Sequence, residues 1–425
     1  MIAGIDFGTS SSSLGIWQDG RPTLVPLDGD NVRLASVLHT ARTGPRGREV
    51  LTLEQAIAAG HTTVFGEAAM MSQIEDPLLG FFVKSPKTFL GAELKRSQLK
   101  LFTDIVTRML AHIRAQAESR LGSPLDRVVL GRPVNFHGTR GESGNSQATA
   151  MLQAAAQAAG FREVEFLLEP IAAALDYERT IARDQVVLVL DAGGGTTDCS
   201  MVRVGPSFRD QAVRDASVLG NSGTRVGGID IDIKLALRKI MPLLGLDSLL
   251  LSGLPVPNSV YWKAAAINDV TAQAEFYARS TAVEIDRLQH DAVDKHKLAR
   301  LHALHEGRLT YRVNRSAELA KIGLSDQDSV ALDLAYLASG LATQVSVPEM
   351  AAAIERELAV FVGLMREVEL QAQTRPDVIY VTGGTARSPI VERYIREHYG
   401  DMEIVVGDLF GSVTSGLTTW AQRLR

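Results

Sequence analysis

The chain has a single cysteine, no long apolar run and no excess of positive charge, and each shortage excludes a class of protein. Cys199 cannot form an intramolecular disulfide, which excludes a disulfide framework and favours a reducing compartment. No apolar stretch reaches the roughly 18 residues that a membrane helix needs. The formal charge of −5 argues against a general surface for nucleic acid or anionic membranes. Because a strand-like segment begins at Ile2, no signal peptide is expected, and we predict a cytoplasmic protein.

What remains is the composition of a large globular protein. Of its 425 residues, 45% are hydrophobic and 22% are charged, both ordinary values. A chain of this length exceeds what one small core supports, so we expect two or more lobes. Cys199 is interpreted as a small buried packing residue rather than a nucleophile.

The most informative stretch runs from residue 186 to residue 200, with the sequence VVLVLDAGGGTTDCS. A short apolar run bounded by glycines predicts a buried strand. The three glycines Gly193–Gly195 let backbone N–H groups approach an anion closely. Asp191 would repel a phosphate, so its natural partner is a hydrated divalent cation carried by that phosphate. Thr196 adds a neutral donor and Asp198 could orient a water, whereas the alternative is a plain glycine-rich hairpin turn.

The N-terminus repeats this pattern. An apolar strand over residues 2–7 contains Asp6, the turn Gly8-Thr9-Ser10 follows, and a second apolar strand returns. Self-similarity at long range indicates an internal duplication. Two such turns placed face to face could hold a polyphosphate from both sides, each presenting one carboxylate to a shared metal ion.

Two further candidates carry charge near predicted turns. Lys84 and Lys87 flank a Ser-Pro turn, although exposed lysines most often face solvent. Glu169 stands before Pro170 at the start of a predicted helix, where a carboxylate that only stabilises the helix dipole is the alternative.

The second half of the chain adds weaker signals. Glu318 and Lys321 have the spacing of a routine surface ion pair. Gly383-Gly384 lies between a predicted strand and helix, where backbone can lie flat against a planar group. Residues 243–308 lack a phosphate or metal signature, and residues 284–305 are highly charged with helical spacing. His302 and His305 share a helical face, where a solvated pair is favoured over a metal site. A helix is predicted from Pro348 to about residue 368.

Taken together, these motifs resemble the ATPase domain of the seventy-kilodalton heat-shock chaperones (DnaK type), within the actin/hexokinase superfamily. The resemblance spans essentially the whole chain, and the short bacterial members of the YegD type are the most similar in character. The motifs occur in the family order: the first phosphate turn, the lysine segment, Arg132-Pro133, EPxAAA from Glu169, DxGGGTxD from Asp191, GGxDxD from Gly227, ExxK from Glu318 and GGTxR from Gly383.

The resemblance implies a role for each site residue. Gly8, Thr9 and Ser10 would hold the β- and γ-phosphates, with Gly193, Gly194, Gly195 and Thr196 on the opposite lobe. Asp6 and Asp191 would hold hydrated Mg²⁺. Lys87, with Lys84 as the alternative, would contact the γ-phosphate, while Glu169 and Asp198 place the attacking water. Arg132 and Pro133 would report the nucleotide state. The adenosine pocket would consist of Glu318, Lys321, Ser325, Gly383, Gly384 and Arg387.

The resemblance also implies the fold, which is an α/β, actin-like (ribonuclease H-like) duplicated two-lobe ATPase fold with a central nucleotide cleft. Lobe I would comprise residues 1–184 plus 407–425, and lobe II residues 185–406, with no peptide-binding domain after them. Three positions depart from the family pattern, and one of them is Phe410, which stands where an acidic residue is expected, with Asp408 as a nearby substitute. Ile322 replaces the arginine that stacks on adenine and so removes a cation–π contribution, and Ile229 replaces an acidic residue.

Three functions follow as hypotheses. The first is an ATP-binding, slowly hydrolysing, Mg²⁺-dependent chaperone-like ATPase whose lobes close on nucleotide. The second is a nucleotide-responsive scaffold without useful turnover, and the third is a sugar-type kinase. A protein partner is expected to contact residues 243–308, which form a longer segment than in the family, whereas nucleic acid and membrane partners are not expected.

Overall fold

The computed structural model describes residues 1–44, 47–75, 79–136, 141–209, 211, 213–408 and 411–424. Within these ranges the strands are β1 Ile2–Phe7, β2 Ser11–Gln18, β3 Arg21–Leu24, β4 Arg33–Ala35, β5 Val37–Ala41, β6 Thr63–Phe65, β7 Gly80–Lys84, β8 Arg127–Arg132, β9 Glu163–Leu168, β10 Gln185–Ala192, β11 Thr197–Val204, β12 Val218–Thr224, β13 Ser329–Asp333, β14 Ala342–Ser346, β15 Val378–Thr382 and β16 Ile404–Val406.

The α-helices of the same ranges are α1 Leu53–Ala58, α2 Gly66–Glu75, α3 Arg96–Leu121, α4 Glu142–Ala158, α5 Glu169–Glu178, α6 Gly228–Leu235, α7 Ser259–Ala265, α8 Val270–Phe276, α9 Arg279–Asp291, α10 Lys295–Glu306, α11 Thr310–Gly323, α12 Val347–Ala353, α13 Glu355–Ala372, α14 Pro389–Tyr399 and α15 Ser412–Arg423. None of these helices combines the length and the apolar character that crossing a bilayer requires.

Two mixed sheets repeat one topology. The first has the strand order β3-β2-β1-β8-β9, with β4 also beside β2, and the second has the order β12-β11-β10-β15-β16. In each sheet a central strand pairs antiparallel with the next strand of the chain and parallel with a strand much later in the chain. The predicted internal duplication is therefore present in the strand order, and each copy of the Asp-Gly motif lies in the hairpin of its own sheet.

Apolar side chains join the two sheets through α5 and α15. One buried cluster includes Val129 of the first sheet, Val189 of the second, Ile171 of α5 and Leu417 of α15. A Cβ on Gly416 of α15 would collide with the carbonyl oxygen of Ala172 in α5, so the two helices approach at a distance that only glycine allows. A second cluster packs α3 and α4 on the first sheet.

A small antiparallel sheet, with the order β6-β5-β7, leads the chain to Lys87. After β7, Ser85 adopts a left-handed conformation with φ 56°, and a 3₁₀ turn covers Pro86–Phe89. The Ser85 amide donates to the Ser36 carbonyl at 2.9 Å. This bond fixes the start of the turn that carries Lys87.

The chain divides into two compact units. The first consists of residues 1–227, 360–387 and 395–425, and the second of residues 228–359 and 388–394. In the second unit α6 continues into a π-helical turn over Ala236–Ile240, and β13 and β14 form an antiparallel hairpin. Its core includes the buried side chains of Tyr261, Phe276 and Leu298.

One predicted helix and one stretch of helical spacing are each divided in two, and both breaks lie in the second unit. The helix expected from Pro348 to residue 368 is divided at Ile354, which ends α12 with φ −113° and ψ 13°. The helical stretch expected over residues 284–305 is divided into α9 and α10. Ala292, between them, forms an isolated β-bridge with Leu250.

Candidate functional site

The two glycine turns lie against each other in the first unit. A Cβ placed on Gly194 would collide with Ser10 Oγ, and one placed on Gly195 would lie 2.8 Å from Thr9 Cγ2. The backbone of the second turn therefore touches side chains of the first turn. Glycine is required here because any larger residue would separate the two turns.

Three aspartates lie at the ends of the strands that flank these turns. Asp6 and Asp191 are each the penultimate residue of their strands, β1 and β10. In the second hairpin Asp191 is directly opposite Asp198, whereas Asp6 in the first hairpin is opposite Ser13. An aspartate therefore occupies the same strand position in both hairpins, and the second hairpin has an additional aspartate, Asp198.

Lys87 forms an ion pair with Glu169. Lys87 Nζ donates to Glu169 Oε1 at 2.6 Å, and the two side chains are only 8% and 13% exposed. Glu169 is the first residue of α5 and is followed by Pro170. Glu169 therefore lies at a helix N-terminus, where its charge stabilises the helix dipole, and it also pairs with the buried Lys87.

Three aspartates of this cluster have raised pKa values, chiefly because they are buried and also because neighbouring carboxylates repel them. Burial raises the pKa of Asp6, Asp191 and Asp198 to about 7 in each case, repulsion from Glu169 adds to the effect, and attraction to Lys87 opposes it. Burial alone would lower the pKa of Lys87, but attraction to Glu169 and Asp6 outweighs it and raises that pKa. The cluster holds more negative charge than Lys87 neutralises.

A divalent cation fits this donor set. Repulsion from Asp191 contributes to the raised pKa of Asp6, and the carboxylate oxygens of both residues are ligands that Mg²⁺ prefers. In the described ranges no group of three or more His, Cys, Asp or Glu side chains could hold a metal ion directly. Two carboxylates with several retained waters is the coordination expected of Mg²⁺ bound with a phosphate. Ser10 Oγ is buried and has no hydrogen-bond partner in the described part of the chain, so its hydroxyl is available to donate to a bound ligand.

Two residues that the sequence analysis missed hold the turns in place. Ser36 Oγ donates to the Gly8 carbonyl at 2.7 Å, and the Ser36 amide donates to the Ser10 carbonyl at 2.9 Å. Thr385 Oγ1 donates to the Gly193 carbonyl at 2.8 Å. Ser36 lies outside every motif and gave no signal, whereas Thr385 is part of the GGTxR motif and was passed over.

The residues predicted for the adenosine pocket are distributed over both units. In the first unit Gly383 has φ +89°, and a Cβ on it would lie 2.5 Å from Asp191 Oδ1. A 3₁₀ turn over Gly384–Arg387 follows directly. The structure thus brings Gly383 and Gly384 next to the second glycine turn.

The other three pocket residues, Glu318, Lys321 and Ser325, belong to the second unit. Lys321 Nζ donates to the Gly228 carbonyl at 3.0 Å and pairs with Asp232 Oδ1 at 2.7 Å. Arg315 pairs with Glu318 at 2.8 Å, and Ser325 closes α11 by donating its amide to the Ile322 carbonyl. Ile322 itself is 46% exposed.

The remaining candidates have simpler surroundings. Cys199 is fully buried, which agrees with a packing role, and burial raises the pKa of its thiol. His302 lies between Asp286 at 3.1 Å and Glu306 at 3.3 Å. Arg132 ends β8, and a Cβ on the preceding Gly131 would lie 3.1 Å from Glu169 Cγ, so the end of β8 borders the carboxylate cluster.

The comparisons with known proteins agree on one family. A family model described as Hsp70 protein matches residues 2–238. The Chaperone protein DnaK of Elusimicrobium minutum (strain Pei191) is 24% identical over 414 residues, which cover 94% of this chain and 54% of that protein. The Chaperone protein dnaK of Cyanophora paradoxa is 27% identical over 241 residues, covering 55% of this chain and 37% of that protein. The chain spans about half the length, or less, of these curated relatives.

Proposed function

Because the chain belongs to the Hsp70 family, we propose that it is a chaperone-like protein that binds ATP with Mg²⁺ and hydrolyses it slowly. The family's nucleotide-binding domain has the actin-like two-lobe ATPase fold, and this chain has that fold. The observation that carries the proposal is the juxtaposition of the two glycine turns beside Asp6, Asp191 and the Lys87–Glu169 pair. The lobe boundaries at residues 184 and 407 and the closure of the lobes on nucleotide are part of the proposal.

The phosphate groups would be held between the turns. Gly8, Thr9 and Ser10 would donate from one side, and Gly193–Gly195 with Thr196 from the other, because exposed N–H groups and hydroxyls bind phosphate oxygens. Asp6 and Asp191 would hold hydrated Mg²⁺, which when bound neutralises charge on the phosphates. A bound Mg²⁺ would supply positive charge to a cluster of carboxylates that Lys87 alone does not neutralise.

Hydrolysis would depend on positioning and charge. Lys87 keeps its positive charge at neutral pH because the surrounding carboxylates raise its pKa, so it can stabilise negative charge that develops on the γ-phosphate. Glu169 and Asp198 would accept hydrogen bonds from a water and orient it for attack. Phosphoryl transfer requires little more than such positioning and neutralisation.

Adenosine would be bound by the six residues predicted for it, Glu318, Lys321, Ser325, Gly383, Gly384 and Arg387. In the second unit the pair between Lys321 and Asp232 fixes the lysine on α11. Ile322 offers an apolar surface beside Lys321 in the sequence, which supports packing on a base without a cation–π contribution.

The alternative of a nucleotide-responsive scaffold without turnover has one observation in its favour. Ile322 and Ile229 replace charged residues of the family pattern, and Ile229 is buried in α6. Loss of these charges affects nucleotide contacts but leaves Lys87, Glu169 and Asp198 in place. We therefore favour the hydrolysing form.

A protein partner is proposed for residues 243–308. Leu249, Leu251, Leu254 and Val293 are each at least half exposed, and the backbone bonds between residues 249–251 and 291–293 bring them together. A pull-down that compares ATP-loaded with ADP-loaded protein, repeated with Leu251→Asp, tests this surface.

Two measurements on the purified chain test the nucleotide proposal. Titration calorimetry with ATP and ADP should show binding that requires Mg²⁺, and single-turnover assays should show conversion of bound ATP to ADP. Absence of binding in the presence of Mg²⁺ would contradict the whole proposal. Binding of ATP without its conversion to ADP would support the nucleotide-responsive scaffold instead of the ATPase.

A further inference from the structure

A cavity of about 330 Å³ opens on the carboxylate cluster from the first unit alone. That volume holds on the order of ten water molecules at about 30 Å³ each. Its lining residues come from the end of β8, from α5, from one face of the second sheet and from α13: Pro133, Val134, Asn135, Phe136, Glu169, Pro170, Ala173, Val189, Asp191, Asp198, Ser200, Asn221, Ser222, Gly223 and Glu367.

The register of the second sheet explains one wall of the cavity. Val189, Ser200 and Asn221 are directly opposite one another on β10, β11 and β12, and so share a face of the sheet. Asp191 and Asp198, two residues along, share that face and lie opposite Gly223 in the last strand. Gly223 has no side chain, and a Cβ there would come within 2.5 Å of Asp198 Oδ1, so glycine keeps the approach to Asp198 open.

The cavity connects the surface with the site. Asn135, Gly223 and Glu367 are exposed and form its mouth, whereas Ser200, Pro170 and Ala173 are buried and form its floor. Asn135 Nδ2 donates to Asn221 Oδ1 at 2.8 Å across the mouth. A small molecule that enters here would reach Glu169 and Asp198 without passing the glycine turns.

The lining selects the chemistry of a ligand. Four carboxylates, two side-chain amides and two serine hydroxyls line the cavity, and no lysine, arginine or histidine is among the lining residues. Carboxylates accept hydrogen bonds, while amides and hydroxyls both donate and accept, which matches the hydroxyl groups of a polyol. Lys87 pairs with Glu169 from outside this lining, and the four carboxylates still leave an excess of negative charge, which disfavours sugar phosphates and other anions.

We propose that this cavity binds an uncharged polyhydroxylated molecule and presents one of its hydroxyl groups as an acceptor of the γ-phosphate. The inference rests on the proposed ATP site. The acceptor oxygen forms a bond to the γ-phosphorus, and the bond between that phosphorus and the β–γ bridging oxygen breaks, with its electron pair leaving on ADP. The hydroxyl proton passes to Glu169 or Asp198. Water in the same position gives hydrolysis instead.

The test separates acceptor binding from ATP chemistry. Saturation-transfer NMR on the nucleotide-free protein compares glycerol with glycerol 3-phosphate and glucose with glucose 6-phosphate, at tens of millimolar. Phosphorus NMR with Mg²⁺ and ATP then measures the ratio of phosphate ester to inorganic phosphate. We expect the neutral member of at least one pair to bind and to receive phosphate, and its anionic counterpart to do neither.

Variants locate the effect in the cavity. Asn221→Leu and Asn135→Leu, on opposite walls, should each lower the ester-to-phosphate ratio about tenfold, as expected when a hydroxyl loses a hydrogen-bonding partner. Asn258→Leu, at an exposed position whose side chain makes no capping bond, should leave the ratio unchanged. Circular dichroism confirms that each variant is folded.

The two proposals fail differently. Hydrolysis of ATP to inorganic phosphate with every neutral compound, and no binding of any of them, would overturn the acceptor cavity and leave the ATPase standing. Binding of glycerol or glucose by a protein that fails to bind ATP in the presence of Mg²⁺ would overturn the ATP site and, with it, the transfer step. An ester-to-phosphate ratio that both asparagine variants leave unchanged would place the acceptor elsewhere and overturn the assignment of this cavity.

Discussion

Lys87 lies 2.6 Å from Glu169 Oε1 and affects the pKa values of Asp6, Asp191 and Asp198, whereas Lys84 lies at the end of β7. Sequence alone left both lysines open because each flanks the same Ser-Pro turn. The left-handed Ser85 and the 3₁₀ turn after it lead the chain to the contact between Lys87 and Glu169, and neither follows from residue type. Glu169, by contrast, could be selected from its place before Pro170 in the motif.

Replacing the two lysines separately tests this assignment. Lys87→Met should lower the single-turnover hydrolysis rate about 10²- to 10³-fold, the range for loss of one preorganised charge in a site. Lys84→Met should change the rate less than about threefold if Lys87 alone contacts the γ-phosphate, as proposed. Quenched-flow assays measure both rates. Equal effects of the two variants would remove Lys87 from its proposed role.

The raised carboxyl pKa values predict how Mg²⁺-dependent nucleotide binding responds to pH. Asp6, Asp191 and Asp198 have pKa values of about 7 in the folded chain, compared with 3.8 for an ordinary aspartate. Below pH 7 they bind protons that a cation must displace, so affinity for Mg²⁺ with ATP should be weaker at about pH 6 than at about pH 8. Calorimetry in buffers of different ionisation enthalpy should show proton release on binding at pH 6.

The unliganded protein should respond in the opposite direction. A carboxyl with a raised folded-state pKa binds more protons than the unfolded chain between about pH 4 and pH 7, so these groups make the fold more stable as pH falls through 7 and less stable as it rises. Asp198→Asn should reduce both pH dependences. Affinity that does not change between pH 6 and pH 8 would contradict the crowding of these carboxylates.

At the scale of elements, the contact between the two hairpins depends on glycine. Gly194→Ala would place a methyl group against Ser10 Oγ, so the turns must separate by a few tenths of an ångström or more. We expect affinity for ATP to fall about tenfold or more, because phosphate donors lose their preorganised positions. Gly363→Ala in α13 is the matched control, since a Cβ there meets nothing within 4 Å. Calorimetry that gives the two variants equal affinities would contradict the site geometry.

A buried ion pair joins α5 to the segment before β12. Arg214 and Glu178 are 0% and 2% exposed and 3.0 Å apart, and the Gly205 amide also donates to Glu178 Oε1. Glu178→Gln should lower the free energy of unfolding by about 3–5 kcal/mol, because it leaves the arginine buried without its counter-ion. Lys100→Gln removes an exposed pair and should cost about 1 kcal/mol or less. Urea denaturation of both variants measures the difference, and similar losses would mean that the buried charge is compensated elsewhere.

The helix breaks show where local sequence ceases to determine structure. Residues 284–305 have helical spacing throughout, yet the Val293 amide donates to the Leu249 carbonyl and Ala292 pairs with Leu250. A backbone partner more than forty positions away overrides the propensity of the segment. No glycine or proline lies at the break between α12 and α13 at Ile354, so the sequence carries no local signal for it. Breaks of this kind depend on tertiary contacts, so the periodicity of the sequence could not reveal them.

At the scale of the whole molecule, the fold class was predictable because it is repeated. Two Asp-Gly motifs some 185 residues apart indicated duplication, and the two sheets have matching strand orders around β1 and β10. The phosphate turns and carboxylates could be selected because glycine and aspartate at strand ends are unusual. Ser36 could not, because it acts through its backbone and a hydroxyl in an ordinary β-strand connection. The cavity beside Asn221 could not be predicted from the sequence either. The register of the strands, and not the order of residues along the chain, brings its lining residues together.

Nucleotide should stabilise the whole molecule only when the cation is present. Residues from the N-terminal turn and from the turn near residue 194 would both hold the phosphates, so unfolding the first unit must release the ligand. At about 100 times the dissociation constant, Mg²⁺ with ATP should raise the free energy of unfolding by about 2.7 kcal/mol. Scanning calorimetry with Mg²⁺, with a chelator and without nucleotide measures the effect. Because the chelator leaves ATP itself intact, a stabilisation that survives it would assign binding to the turns alone and remove Asp6 and Asp191 from the proposed metal site.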